Sequence, residues 1–419
     1  MEALHANDVI IVGAGAAGMM AALCAAGDGE RVLLLEKMDQ PGRKLRITGK
    51  GRCNLTNTAP LKDFLEHTGS DSRFLRNCFA RFFNHELMDF FENHDVPLIV
   101  ERGNRVYPKS GNALDIFLAL INTIERHPLI TIAKSHPAKE LMTADGAIRG
   151  IRLADGTCQL AKKVILATGG ESYPLTGSTG DGYRLAQQAG HTIVPTVPSL
   201  VPLVCAEPIA PDLVGFLLKN VGLSITRPDG KKVCDFFGEM TFIDNGIAGP
   251  IVLSASRIVS RMLHNGEQLI AHIDLKPALD TARLDKRLID DLNSNGTRLL
   301  HDAMRMWLPA EMVPLALERT RIAKYKRLNQ VNGEERRKIL HFLKGQTCSF
   351  TLTGTRGFDE AVVTQGGVCL KEVNPKTMES RLVKGLYLAG EVLDLDADTG
   401  GYNLQIAFST GFVAGHAQV

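Results

Sequence analysis

The stretch Asp8–Val12 is apolar after its first residue, without alternation, which predicts a strand buried on both faces, as in a parallel sheet. Ala16–Ala26 follows as an alanine-rich helix, ended by Gly27 and Gly29. Arg31–Leu35 repeats the buried-strand pattern and closes on Glu36, so the opening of the chain reads as one β-α-β unit. Val164–Ala167 and LYLAG (386–390) carry the same pattern, and 404–417 reads as a small-residue helix. Between 73 and 94, Phe79, Phe82, Phe83, Leu87, Phe90 and Phe91 recur at helical spacing. Residues 42–57, GRKLRITGKGRCNLTN, read as a glycine-rich basic loop. From 194 to 276 prolines and short apolar stretches predict strands of another kind, and 281–345 turns to leucine-rich, charged helices.

This pattern predicts an α/β, Rossmann-like domain built from both ends of the chain. The 419 residues exceed the roughly 250–300 that one core serves. The expected division is 1–193 with 363–419 for the nucleotide-binding domain, 194–280 with 346–362 for an inserted β-rich domain, and 281–345 for a helical insert. Hydrophobic content of 44% and charged content of 22% are those of a globular protein and argue against disorder or coiled coil. The apolar N-terminus lacks the basic flank of a secretion signal, with Glu2 and Asp8 in its place, and no stretch reaches the ~20 apolar residues that span a bilayer. The 8 cysteines form no C-x-x-C pair, which weakens a zinc ribbon or a disulfide reductase and fits reduced thiols in the cytoplasm. The histidines show no metal-ligand spacing, so no metal is expected.

Gly13-x-Gly15-x-x-Gly18 lies between the first strand and its helix. The first glycine permits the tight turn, the second lets backbone approach a pyrophosphate, and the third lets helix and strand pack closely. The helix dipole then faces the phosphates. Glu36, 18 residues after Gly18, can accept hydrogen bonds from a ribose diol and disfavours a 2′-phosphate. Three further segments favour FAD over NAD. Gly390-Glu391 follows a buried strand, where an acid can bind a ribityl chain. TGGYNLQIAFSTGFVAG (399–415) starts a helix whose first amides would face the flavin N1–C2=O edge. Leu166–Gly170 is a strand leading into a glycine turn. A second G-x-G-x-x-G is missing, so NADH or NADPH, as hydride donor, would bind transiently.

Together GAGAAG (13–18), GRKLRITGKGRCNLTN, YPLTGSTGDGY (173–183), NGIAGPIVLSAS (245–256) and TMESRLVKGLYLAGEVLDLDADTGGYNLQ (377–405) resemble the BaiN/YhiN-like flavoproteins, over nearly the whole chain. Here Thr48-Gly49-Lys50-Gly51 adds a lysine where members often read S-G-G-G. The resemblance implies an FAD-binding domain of the glutathione reductase type with an inserted β-barrel-like domain and a small helical domain. It implies FAD contacts at Gly13, Gly15, Gly18, Glu36, Arg43, Lys44, Thr168, Gly169, Glu391, Asn403, Leu404 and Gln405. Ala14, Ala16, Ala17, Lys37, Gly51, Arg52, Asn54, Gly390 and Gly401 complete the expected cofactor-binding set.

Arg43, Lys44, Arg46, Lys50 and Arg52 make the loop a clamp for phosphates or, alternatively, a solvated surface. Neighbouring cations would lower the Cys53 thiol pKa and make it an acid or nucleophile at the flavin; the other reading is a small packing residue. Tyr402 is the second catalytic candidate, since a tyrosine can protonate a carbanion after hydride arrives. Tyr173, Asp181 and Tyr183 are further polar positions near the cofactor. Residues 281–345 hold 14 basic and 8 acidic residues, and RTRIAKYKR (319–327) concentrates five cations in nine positions. That segment is a phosphate-binding patch or the solvated face of a helix.

The resemblance implies an FAD-dependent oxidoreductase, foremost an NAD(P)H-driven reductase of an activated C=C bond on a small molecule. Relatives of that kind also carry reduction of a 23S ribosomal RNA uridine to dihydrouridine, and oxidation of an aminoacetone-like amine with peroxide release. Small-molecule substrate and ribosomal RNA are thus both expected partners. No heptad or other pattern speaks to oligomeric state.

Overall fold

The computed structural model describes residues 7–69 and 72–416, in two compact units, Met1–Pro198 with Ala361–Val419 and Ser199–Glu360. The first unit is organised by a five-stranded parallel sheet. Its order is Leu386–Leu388, Lys163–Leu166, Val9–Val12, Val32–Glu36 and Ile130–Lys134. Helices cover parallel strands on both faces, so Val9, Ile10 and Ile11 are wholly buried, which is why no alternation shows in the sequence. Leu386, Tyr387 and Leu388, from the far end of the chain, pair with Val164, Ile165 and Leu166.

The chain ends are locked together by small residues. The helix Tyr402–Gly415 lies against the first helix, Ala16–Gly27. A Cβ at Gly411 would sit 2.3 Å from the Ala17 carbonyl oxygen, and one at Gly415 2.6 Å from that of Ala21. Only glycine allows two backbones that close. The expected end of this last helix at 417 lies outside the described residues; Gly415 is its last helical position.

Two local expectations are corrected. The single helix over 73–94 is two, Ser72–Phe79 and Asn84–Glu92. Phe83 is extended between them, and its amide donates to Glu86 Oε2 at 3.0 Å, which starts the second helix. The phenylalanine spacing runs through the break because Phe79 and Phe83, on either side, both pack on Phe64. The basic loop 42–57 is in fact partly regular: helix Arg43–Ile47, a 3-10 turn Thr48–Gly51 with Gly49 and Lys50 left-handed, and the short strand Thr56–Asn57.

The second unit is a closed six-stranded barrel, in the order Leu203–Cys205, Gly246–Ala248, Lys232–Ile243, Leu217–Thr226, Leu269–Asp274 and Ser349–Thr355. Helices Thr281–Ser294, Val313–Thr320 and Gly333–Leu343 follow the fifth strand. Leu288, Trp307 and Phe342 from this helical segment share one apolar cluster with Phe242 and Phe350 of the barrel. In 319–327 the helix stops at Thr320; Arg321 is left-handed and Ile322 is buried, so the cations after Arg319 stand beyond the helix and not along its face. Among the described residues no helix is long and apolar enough to cross a membrane.

Candidate functional site

All the cofactor-binding positions expected from sequence fall in the first unit. Gly13 has φ +102°, and a Cβ there would lie 2.6 Å from the Ala167 carbonyl oxygen. A Cβ on Gly18 would lie 1.9 Å from the Gly13 carbonyl oxygen. Gly15 differs: nothing lies within 4 Å of its missing Cβ. It caps the first helix without a side-chain hydrogen bond, and no acid stands in the first turn. The amides of Ala16 and Ala17, in the first turn, have no intrahelical partner. Two glycines serve packing and the middle one leaves room for a ligand.

Glu36 closes this turn. Its carboxylate accepts the Ala14 amide at 3.1 Å and the Met38 amide at 2.8 Å. Burial raises its carboxyl above the ordinary value, against the pull of those two amides. Lys37 turns away, to Thr179 Oγ1 at 2.5 Å and Asp181 Oδ2 at 2.6 Å, so the two expected polar residues Lys37 and Asp181 neutralise one another.

The basic segment is tied to the same turn, since the Gly42 amide donates to the Ala14 carbonyl at 2.9 Å. Arg43 stands 3.8 Å from Asp39. Lys44 reaches inward to Ser172 Oγ at 2.8 Å and Glu391 Oε2 at 3.0 Å. Glu391 Oε1 accepts from Ser172 Oγ and from the Thr364 amide, both at 2.8 Å. Burial alone would raise the Glu391 carboxyl, but the Lys44 ammonium and these hydrogen bonds outweigh it and hold the group below its usual value. Ser172 and Thr364 belong to this network and carry no local sequence signal. Gly390 packs on the first helix, its missing Cβ 2.9 Å from Ala17 Cβ. Gly169 is left-handed, and a Cβ there would lie 3.3 Å from Ser178 Oγ and 3.9 Å from Glu391 Oε2. Thr168 lies beside it, half-buried. The Tyr183 hydroxyl points at the Glu391 carbonyl, 3.4 Å away, and burial pushes it well above its ordinary value. Tyr173, left-handed and half-buried, opens the next turn.

The C-terminal helix begins at Gly401, where a Cβ would meet the Thr56 carbonyl oxygen at 2.3 Å. Asn54, with its amide oriented to satisfy both ends, accepts the Gly401 amide at 3.1 Å and donates to Thr56 O at 3.2 Å. Asn403 binds the backbone of Ala397 and Asp398. Gln405 is wholly buried; its Oε1 accepts from Thr56 Oγ1 at 2.5 Å and its Nε2 donates to Ser409 Oγ at 2.9 Å. The side chains of Asn54, Asn403 and Gln405 therefore brace the helix start. What the helix offers a ligand is the first-turn backbone amides at Tyr402, Asn403 and Leu404, with no acidic residue in that turn.

Cys53 is brought near this start but is not activated. It is wholly buried, and burial pushes its thiol up to about 12, the Thr48 side chain opposing only in part. The expected cationic help is absent because Arg52 turns outward, to Glu101 at 2.5 Å with its guanidinium 4.3 Å from the Tyr107 ring centre. Gly51 between them has open space at its missing Cβ, and Lys50 is exposed. Tyr402 is buried, with its ring edge-on to Phe64. No group of three or more His, Cys, Asp or Glu able to hold a metal ion occurs among the described residues.

These residues fit an FAD. There is one open glycine at a helix start, a second helix start without side-chain cap or acid, a fixed carboxylate for a diol, and a lysine–carboxylate pair between them. A family model described as the HI0933-like protein Rossmann domain matches residues 7–417. The chain is 34% identical to a 3-dehydro-bile acid delta(4,6)-reductase of Clostridium scindens, over 98% of each chain. It is 30% identical to a ribosomal RNA dihydrouridine synthase of Escherichia coli, over 97% of this chain and 96% of that one. A protein of the same name from Haemophilus influenzae is 29% identical, over 97% of each.

Proposed function

This chain belongs to the HI0933-like family and is an FAD-dependent oxidoreductase, and from that premise we propose that it reduces an activated carbon–carbon double bond of a small molecule, drawing electrons transiently from NADH or NADPH. The observation that carries the substrate class is the end-to-end likeness to a delta(4,6)-reductase. FAD, when bound, would supply the two-electron redox chemistry between a nicotinamide and the substrate. The protein binds and orients. Amides at Ala16 and Ala17 would take the pyrophosphate, and Glu36 would take the ribose hydroxyls. The Lys44–Glu391 pair, braced by Ser172 and Thr364, would hold the polar chain of the cofactor. The first-turn amides of the C-terminal helix would favour negative charge on the bound group. The eight unpaired cysteines favour the cytoplasm as its compartment.

The experiment is anaerobic stopped-flow absorbance of the yellow protein with NADH or NADPH, followed by enones. Rapid bleaching, then recolouring by an enone, supports this reading. No bleaching by either nicotinamide overturns the donor assignment and favours an oxidase reduced by its own amine substrate. Glu391→Ala removes a charge-assisted acceptor and strands Lys44, so FAD should bind about 10- to 100-fold more weakly. Unchanged FAD affinity, measured by titration of the apoprotein, would put the cofactor elsewhere.

A second reading, reduction of a uridine in ribosomal RNA, is favoured by one surface feature. Tyr325 is 69% exposed on the turn that also exposes Arg321, Lys324 and Arg327. An aromatic among cations can stack a base while the cations meet phosphates. Neutralising the three cations should then weaken RNA binding and flatten its salt dependence; an unchanged salt slope removes this reading.

A further inference from the structure

Hydride addition to a double bond is half of a reduction; a proton must reach the other carbon. We infer that His67 is the donor of that proton, held for the role by Asp398. This inference rests on the double-bond reading above.

His67 caps the helix Leu61–Glu66. Its Nδ1 lies 2.9 Å from Asp398 Oδ2. The two residues are also joined through backbone, since the Asp398 amide donates to the His67 carbonyl at 2.9 Å. Thr68 and Ala397 form an antiparallel bridge, and the Gly69 amide donates to Asp396 O at 3.0 Å. Asn403 in turn grips Ala397 and Asp398. The pair is thus strapped to the beginning of the C-terminal helix, whose first amides serve the cofactor. The imidazole stacks on Tyr402, the first residue of that helix, with centres 4.6 Å apart and planes 24° apart. The His67 side chain is 45% exposed.

The chemistry follows from the pairing. A carboxylate at Nδ1 keeps a proton on that nitrogen and makes Nε2 the atom that gains and gives protons. When hydride from the reduced cofactor adds to one carbon of the double bond, the electron pair displaced appears on the other carbon. That pair takes the Nε2 proton: an N–H bond breaks, a C–H bond forms, and the N–H electrons return to the ring. His67 is left neutral, with Nδ1–H still on Asp398, and recovers a proton from water. Tyr402 is the poorer donor. Burial, with the Asp398 charge beside it, raises its hydroxyl, and it serves as the platform on which the imidazole lies. Asp398 is a positioning residue.

The test uses the holoenzyme, reduced anaerobically and mixed either with an enone or with ferricyanide, which takes electrons and needs no carbon-bound proton. In His67→Gln, oxidation by the enone should slow about 100-fold or more, while oxidation by ferricyanide and reduction by NADPH stay within about twofold. In Asp398→Asn the enone step alone should slow, by about tenfold. Enone oxidation undiminished in His67→Gln, or enone and ferricyanide steps slowed together, overturns the inference. Nitrogen-15 NMR of the histidines gives an independent readout. The wild type should show the Nδ1–H tautomer, lost in Asp398→Asn; an Nε2–H tautomer in the wild type overturns the assignment. If wild type bleaches but reduces no double bond, the substrate reading falls, and the NMR result alone then decides whether the pair is built as described.

Discussion

His67 and His191 are each joined through Nδ1 to a carboxylate, Asp398 at 2.9 Å and Glu372 at 3.1 Å, yet they stand in opposite surroundings. His67 follows the end of the helix Leu61–Glu66, and its side chain is partly open to water. The His191 side chain is wholly buried, and its Nε2 meets Ser380 Oγ at 2.8 Å. Ser380 Oγ also accepts the Leu382 and Val383 amides, both at 3.0 Å, so its own proton goes to His191. Serine, histidine and glutamate thus form the hydrogen-bond order of a hydrolytic triad. The hydroxyl's lone pairs are already taken by two amides and the group is covered, so the arrangement is a latch. It fixes the turn that feeds the strand Leu386–Leu388 and, beyond it, Glu391. The same pair of groups is chemistry where water and substrate can reach it and architecture where they cannot.

The comparison can be broken by stability measurements. His191→Ala should cost the most, about 3 kcal/mol in urea unfolding, because Glu372 and the Ser380 hydroxyl lose their partner inside the fold. Ser380→Ala should cost about 1–2 kcal/mol, by stranding two amides and the imidazole. His67→Ala should cost under about 1 kcal/mol, as exposed pairs do. If His67→Ala destabilises as much as His191→Ala, both pairs are structural and the distinction fails.

Acid sharpens it further. Burial lowers His191 below its ordinary 6.5 although Glu372 pulls the other way. The unfolded chain therefore binds a proton below about pH 6.5 that the folded chain refuses, so stability falls as pH falls from there to the lower folded value. Burial would raise Glu372, but the hydrogen bonds from Thr192 and His191 outweigh it and its carboxyl is lowered, so its contribution is present above its unfolded value of 4.5 and is lost as pH falls through the folded one. Both partners weaken the fold in acid. His191→Gln should flatten the upper part of that slope, seen as a smaller loss of melting temperature between pH 7 and 5; an unchanged slope would assign the acid sensitivity to other groups.

Much of this molecule follows from its sequence alone. The β-α-β opening, the glycine turn with Glu36, and the return of the last strand and helix to the first sheet are legible because parallel strands buried on both faces need apolar runs, and close backbone approach needs glycine. Gly13 and Gly18 are visible in sequence for that reason, and family membership is carried by the same stretches. The tertiary structure decided what each side chain does there. Cys53 among cations reads as a reactive thiol or a small packing residue, and the fold decides for packing: the cation beside it points away and burial keeps the thiol protonated. Lys37 and Gln405 read as ligand contacts and spend their side chains on Asp181 and on Thr56 with Ser409. Lys44, Ser172, Thr364 and Glu391, or His67 and Asp398, come from segments far apart, and hydrogen bonding between distant residues leaves no periodicity in a chain. Backbone geometry is written locally, in which residues can be buried or turned, whereas the protonation and reach of a side chain depend on neighbours that only the folded chain supplies.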